Sequence, residues 1–395
     1  METSVARHID QYLKKHQKEM IAFLKRLVAC ETPSKNKSSQ QQILKILEDS
    51  LSELGFYTLL FPGKRTGGYL FARPLVKEGK GIQLMVGHCD TVWKLNTIES
   101  MPIKEVNGKI AGPGIFDMKA GITQMIFALK SLRNIGAKMD LCPVILINSD
   151  EEIGSFESTM AIKRVAKIAK RAFILEPPLG FEGKLKTARK GIGKFVIRVL
   201  GKPAHAGLNP GEGVSAIVEL SYQIQNLFQL NDFEKGITVN VGMIEGGSSA
   251  NVIAEESQAV VDVRVYNLED AREVEKKILN LRPKHKGTSI AIEGGFGRPP
   301  MERTERNQKL WKLAKKIGSS MELNLEETTA GGGSDGNTTS LYTATLDGLG
   351  TVGDGAHARH EFIFREKLIE RTTLLAMLLA NEDIEQEIIV SPQKA

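Results

Sequence analysis

Three times along this chain an apolar run, interrupted only by Gln83 in the first, stops at ionisable side chains. Ile82–Val86 ends in Gly87-His88-Cys89-Asp90, Val144–Ile147 ends in Asn148-Ser149-Asp150-Glu151-Glu152, and Ala172–Leu175 ends in Glu176. Runs of this length bounded by Pro or Gly read as strands covered on both faces, as in a parallel sheet. In open α/β sheets the carboxyl ends of such strands present the ligand-binding groups. Alone, the acids at 150–152 read more readily as a solvated loop, because acids are mostly exposed. Repeated at successive strand ends, they read as a site: neighbouring carboxylates repel, and at least one must meet a proton or a cation.

The segments between these runs support that sheet. Apolar positions at helical spacing run over residues 5–29, a second helix is expected from about Gln40 to Leu54, and Phe56–Phe61 with Gly68–Arg73 read as a strand pair. A glycine-rich loop, Ala111–Gly121, leads into an apolar helix over Ile122–Leu132, and a further helix is expected near Ser158–Ala169. Strands alternating with helices predict an α/β fold with a mixed, mostly parallel sheet flanked by helices. From about residue 187 the pattern changes. Strands at Lys194–Leu200, Ile237–Ile244, Ala259–Tyr266 and Ser289–Glu293, with helices at Val214–Leu230 and Glu269–Leu281, give the order β-α-β-β-α-β of a compact ferredoxin-like unit. Residues 187–297 are therefore expected to be inserted into a discontinuous domain formed by 1–186 and 298–395, which resumes with a helix at Gln308–Ile317 and closes with one at Arg365–Leu379.

A length of 395 residues allows two or three cores. The 53 basic residues exceed the 47 acidic ones by only 6, and no tract of like charge occurs, so neither nucleic acid nor a membrane is an expected partner. No apolar segment near Met1 resembles a secretion signal, and a cytoplasmic protein is expected. Cys30, Cys89 and Cys142 are widely spaced, which suggests neither a disulfide framework nor a thiolate zinc site.

The strand-end groups, with two from later loops, form an inventory: His88, Asp90, Asp117, Glu151, Glu152, Glu176 and His357. Imidazoles and carboxylates without thiolate suit zinc or a similar divalent ion, and the carboxylates exceed what one tetrahedral site would take. Two ions about 3.5–4 Å apart need a shared carboxylate and one imidazole each, which this inventory supplies.

Seven segments carry a resemblance. Gly87–Val92, Gly112–Lys119, Ser149–Gly154, Leu175–Pro177, Pro203–Gly207, Gly331–Asp335 and Gly355–His357 together resemble the two-zinc family of glutamate carboxypeptidases, acetylornithine deacetylases and succinyl-diaminopimelate desuccinylases, and the glutamate carboxypeptidase branch most closely. The likeness extends in order over nearly the whole chain. It implies a zinc-exopeptidase type of sheet with a ferredoxin-like lid and dimerisation domain. It further implies two Zn²⁺ ions, with Co²⁺ or Mn²⁺ as possible substitutes: Asp117 bridges them, His88 and Glu176 complete one site, and Glu152 and His357 the other. Glu151 is then the free acid that takes a proton from water and returns it to the leaving amine. Asp90 would hold His88 by its second ring nitrogen, and the Asp117–Met118 peptide would be cis.

In the inserted unit the resemblance makes His205 a lid histidine that reaches the partner subunit's active site in a homodimer and stabilises the oxyanion. Asn251, Arg264 and Arg298 match substrate-contacting positions, with Arg298 suited to a terminal carboxylate. Lys184 lies where an acidic side chain would be met, and the backbone N–H groups of the Gly331-Gly332-Gly333 loop suit an anion. The expected reaction is attack of a bridging hydroxide on an amide, releasing a C-terminal amino acid from a small peptide. The Glu at 176, as in carboxypeptidase and deacylase members and where dipeptidase and aminopeptidase relatives tend to carry Asp, favours an N-acyl amino acid or a peptide cut at its C-terminal residue. In the main reading the residue released is glutamate. An N-acyl amino acid deacylase on the same site is the nearest alternative, and a non-catalytic binding protein on the same fold is a more distant one.

Overall fold

A computed structural model describes residues 2–76 and 79–381. Contacts between Cα atoms divide it into two compact units. The second comprises Ala188–Glu302 with Thr329–Thr338, and the first takes the remainder.

The first unit is built on a six-stranded sheet in the order Phe56–Phe61, Tyr69–Pro74, Leu141–Asn148, Gly81–His88, Arg171–Ile174, Ala344–Leu346. The last four run parallel, and the first two form an antiparallel pair added at one edge. Every residue of Leu141–Asn148 is buried, as its unbroken apolar pattern required, because helices cover both faces. On one face Phe127, Ile122 and Met125 of the Ala120–Asn134 helix pack with Leu374 and Leu378 of Arg365–Ala380; on the other, Ile162 and Ala166 meet Leu84, Val86 and Leu146. In register, His88 lies opposite Asn148, so the strand bearing the first imidazole and the one leading to Glu151 and Glu152 end side by side.

Local chemistry moved several boundaries. The pattern over 5–29 is two helices, Glu2–Lys15 and Gln17–Ala29, broken at His16. The next helix starts at Lys37, ahead of the expected Gln40, because the Asn36 side chain accepts the Ser39 N–H and caps it. A small four-stranded sheet of Gly353–Asp354, Phe362–Phe364, Lys109–Ala111 and Lys104–Val106 was not foreseen, since strands of two or three residues carry no readable period.

The second unit has the foreseen β-α-β-β-α-β order. Its antiparallel sheet runs Thr238–Gly246, Glu256–Val265, Gly191–Leu200, Ser289–Arg298, the ferredoxin-like arrangement. Strict alternation along Gly191–Leu200 puts Phe195, Ile197 and Val199 against the helices Ala216–Phe228 and Leu268–Leu279. The glycine-rich loop belongs here. Asn337 donates to the carbonyls of Lys190 (3.1 Å) and Pro299 (2.8 Å), and Arg298 pairs with Asp335 (3.2 Å), so Thr329–Thr338 is fastened to this unit. Thr238–Gly246 is an edge strand, and Met243 and Ile244 on it are exposed, as are Ile217, Val218 and Phe228 of the Ala216–Phe228 helix.

Candidate metal centre

His88 closes its strand with its side chain buried. Beside it, the turn Ile115–Lys119 holds Asp117, and the Asp117–Met118 peptide is cis. Two glycines let this turn approach. Gly114 has φ +71° and would place a Cβ 2.4 Å from Thr91 Cγ2; a Cβ on Gly121 would lie 2.0 Å from the Leu175 carbonyl, next to Glu176. Glu151 and Glu152 sit on a single turn, Glu151–Ile153, directly after the Leu141–Asn148 strand.

The two oxygens of Asp117 face different imidazoles. Oδ1 lies 3.2 Å from His88 Nε2 and Oδ2 lies 3.4 Å from His357 Nε2. Glu176 lies 3.5 Å from His88 Nε2, and Glu152 lies 3.0 Å from His357 Nε2. Ligand atoms of His88, Asp117 and Glu152 lie within 4.8 Å of one another, as do those of His88, Glu151 and Glu176. Distance alone therefore does not set Glu151 apart from the ligands.

Asp90 departs in detail from expectation. His88 Nδ1 is nearer the Asp90 backbone carbonyl (3.0 Å) than its carboxylate (3.4 Å). The carboxylate instead accepts the N–H groups of Glu151 (3.1 Å) and Glu152 (3.2 Å), so it fixes the acidic turn against the His88 strand.

The electrostatics suit a cation. Burial disfavours a charged His88, yet hydrogen bonds to Asp117, Asp90 and Glu176 raise its pKa well above the ordinary imidazole value. Hydrogen bonds to Asp117 and Glu152 push His357 up to about 10, whereas burial raises Glu152. Burial works against a charged Asp117, but the two imidazoles hold its carboxyl below the usual range. Glu152 Oε1 is buried without a hydrogen-bond partner among the described residues. An imidazole and carboxylate donor set with an orphaned buried oxygen fits divalent metal ions.

The inserted unit's candidates form smaller groups. His205 is exposed, and its Nδ1 accepts the N–H groups of Gly207 (3.1 Å) and Leu208 (3.0 Å), which leaves the proton on Nε2 as an outward donor. Asn251 is its neighbour: the Ala206 N–H donates to the Asn251 carbonyl at 2.9 Å. Arg298 is buried beside Asp335, and the Gly332 and Gly333 carbonyls accept from Arg189. Arg264 is engaged by Asp262 through two bonds, and Lys184, in the first unit, by Glu326 at 2.8 Å. Cys30, Cys89 and Cys142 are buried and not disulfide-bonded.

Sequence reasoning missed Glu361. This carboxylate is completely buried next to Asp117, and burial pushes it up to about 7 against the N–H groups that favour its charged form. The strand-end pattern used elsewhere does not mark it, because Glu361 precedes the short apolar strand Phe362-Ile363-Phe364 where the other acids follow theirs.

Residues 187–288 match the peptidase dimerisation domain model of the M20 peptidases. Carboxypeptidase G2 of Pseudomonas sp. (strain RS-16) is 29% identical over 378 residues, 92% of this chain and 89% of that protein. The chain is a relative of the M20 metallopeptidases. Among solved M20-type folds, the aminopeptidase PepT of Bacillus cereus superposes with a TM-score of 0.75 at 22% identity, covering 92% of this chain and 98% of the other. The M20 family metallo-carboxypeptidase Sso-CP2 of Sulfolobus solfataricus gives 0.72 at 17%, with the same coverage. At such identities these structures speak to the fold, which is the zinc-exopeptidase type with its inserted domain. No helix of this M20 relative, among the described residues, is long and apolar enough to cross a membrane.

Proposed function

We propose that the chain is a metal-dependent amidohydrolase of carboxypeptidase type, releasing a C-terminal amino acid, with glutamate the first to test, from a small peptide. The observation that carries this reading is the division of the two Asp117 oxygens between His88 and His357, each imidazole with its own second carboxylate. His88, Asp117 and Glu176 would hold one ion and Asp117, Glu152 and His357 the other. Such ions, zinc by preference and cobalt or manganese by substitution, supply Lewis acidity toward the amide carbonyl and lower the pKa of water.

Glu151 takes the proton from the attacking water and hands it to the leaving amine; a carboxylate within reach of the ligands yet not needed among them suits this task. Asp90 keeps Glu151 in place through its N–H and steadies His88. His205, with its proton on Nε2, reaches the active site of a partner copy and supplies a hydrogen bond to the developing oxyanion there. Asn251, Arg264, Arg298, Lys184 and the Gly332-Gly333 backbone bind substrate, with Arg298 exchanging Asp335 for a substrate carboxylate. The inserted domain, 187–297, pairs two copies through its exposed edge strand, and the enzyme acts in the cytoplasm. The likeness to carboxypeptidase G2 over most of the chain supports the carboxypeptidase reading over an N-acyl amino acid deacylase.

The test is turnover by chelated and zinc-reconstituted protein of a folate-type glutamyl amide beside N-acetylornithine. Zinc-dependent cleavage of the amide alone is expected. Cleavage of N-acetylornithine alone would move the chain to the deacylases, and hydrolysis insensitive to chelation would end the metal reading.

A further inference from the structure

We propose that Glu361 is a positioning residue for the metal centre, one carboxylate that holds the segments carrying His88, Asp117 and His357 in a common register. The inference rests on the metal reading above.

Glu361 stands four residues beyond His357 and is fully buried. Its Oε1 accepts the N–H groups of Phe116 (2.9 Å) and Asp117 (3.0 Å); its Oε2 accepts the Gly114 N–H (2.8 Å) and the Trp93 indole N–H (2.9 Å). Two donors on each oxygen use the lone-pair sites of the carboxylate. They come from two distant segments: the turn that bears Asp117, and the stretch just after His88 and Asp90. The backbone of Glu361 secures the third. Its N–H donates to the Ala358 carbonyl (3.0 Å), whose own N–H reaches the Gly355 carbonyl (2.8 Å), closing the turn that carries His357. Gly355, with φ +83°, would place a Cβ 2.9 Å from Glu361 Cα, so that turn is packed directly onto the clamp.

A buried glutamate that gathers loop N–H groups can be purely structural, and this chain contains one. Glu219 in the inserted unit accepts from Gln223 Nε2 and from the N–H groups of Lys284 and His285, with no proposed ligand beside it. It is the natural control. Glu361 differs in what it fastens: the Asp117 N–H itself, and neighbours of two imidazoles. Replacing it by Gln removes the charge and turns an amide NH₂ toward donors that need an acceptor.

The experiment is calorimetric titration of Zn²⁺ into the metal-free full chain, with melting temperature recorded alongside, for wild type, Glu361→Gln, Trp93→Phe and Glu219→Gln. Wild type is expected to take up two ions. Glu361→Gln should bind zinc about 10- to 100-fold more weakly, the loss typical when a group orienting metal ligands is removed. Trp93→Phe, which deletes one donor and keeps the charge, should show a smaller loss of up to about tenfold. Glu219→Gln should melt earlier and bind zinc as wild type does. Zinc affinity unchanged in both Glu361→Gln and Trp93→Phe, with only the melting temperature lowered, would make Glu361 a structural anion and overturn the proposal. If Glu361→Gln does not fold, Trp93→Phe decides. Absence of zinc uptake by wild type would remove the metal reading and this inference with it, an outcome separate from a defect confined to the variants.

Discussion

The two units treat their chemically useful side chains in opposite ways. In the first, His88, Asp90, Glu151 and Glu176 are buried and engage one another across segments far apart in sequence, with His357, half exposed, at their rim. In the second, His205 and Asn251 are exposed, Arg264 is engaged by the adjacent Asp262, and only Arg298 is buried, beside Asp335. Buried carboxylates in a group are costly unless something positive joins them; here the imidazoles of His88 and His357 do so, and the same donor set suits a cation. Exposed groups cost nothing to keep and gain a role only when something comes to them. The difference teaches that one unit gathers a buried candidate ion site, whereas the other offers mostly exposed groups.

The sharpest break of this comparison is Glu151→Gln. The variant should retain its metal while turnover falls about 10²- to 10⁴-fold, the contribution of a positioned general base; metal content and single-turnover rate measured on one sample check both halves. If metal and rate were lost together, Glu151 would be a ligand, as its proximity to His88 and Glu176 permits. His205→Ala should lower kcat by about 10²- to 10³-fold, as removal of one oxyanion donor does, with metal affinity untouched. A drop in metal affinity in that variant would contradict the division drawn here between the units.

A milder effect concerns assembly. Ile244→Lys, placing a charge on the exposed edge strand, should shift the protein from dimer to monomer in sedimentation without lowering its melting temperature by more than a few degrees. A dimer that survives at micromolar concentration would put the interface elsewhere.

How legible all this was depended on whether one stretch of chain carried its own signal. The strands ending at His88 and Asn148 announced themselves, because burial on both faces demands a mostly apolar run, broken in the first by the buried Gln83, that only a few residue types supply. The inserted unit was equally plain, since its half-covered sheet imposes strict alternation. The candidate ligands were read from strand ends and a resemblance. Glu361 did not, because its role lies in accepting backbone N–H groups from segments about 250 residues away, and backbone donors leave no mark on residue identity. The short sheet on which it sits was hidden for a related reason: strands of two or three residues are held by the sheet, not by their own pattern. The fastening of Thr329–Thr338 to the inserted unit was likewise a matter of side chains, Asn337 and Arg298, finding distant partners.

The smallest expected effect tests the second unit as a scaffold. Glu219 is buried, and burial acts against its charge, but the Gln223 side chain and the N–H groups of Lys284 and His285 hold its carboxyl below the ordinary value. A carboxylate with a lowered folded pKa contributes stability that is fully present above its unfolded pKa, about 4.3, and is lost as pH falls through the folded value. At neutral pH, Glu219→Gln should therefore cost about 1.5–3 kcal/mol, the range for hydrogen bonds to a charged group. The gap from wild type should narrow as pH drops below about 4, because the wild-type carboxylate then becomes neutral as well. Urea melts of the two proteins at pH 7 and pH 3.5 check the sign. A gap that widened toward acid would mean that Glu219 is already protonated in the fold and holds its loop as a neutral acid.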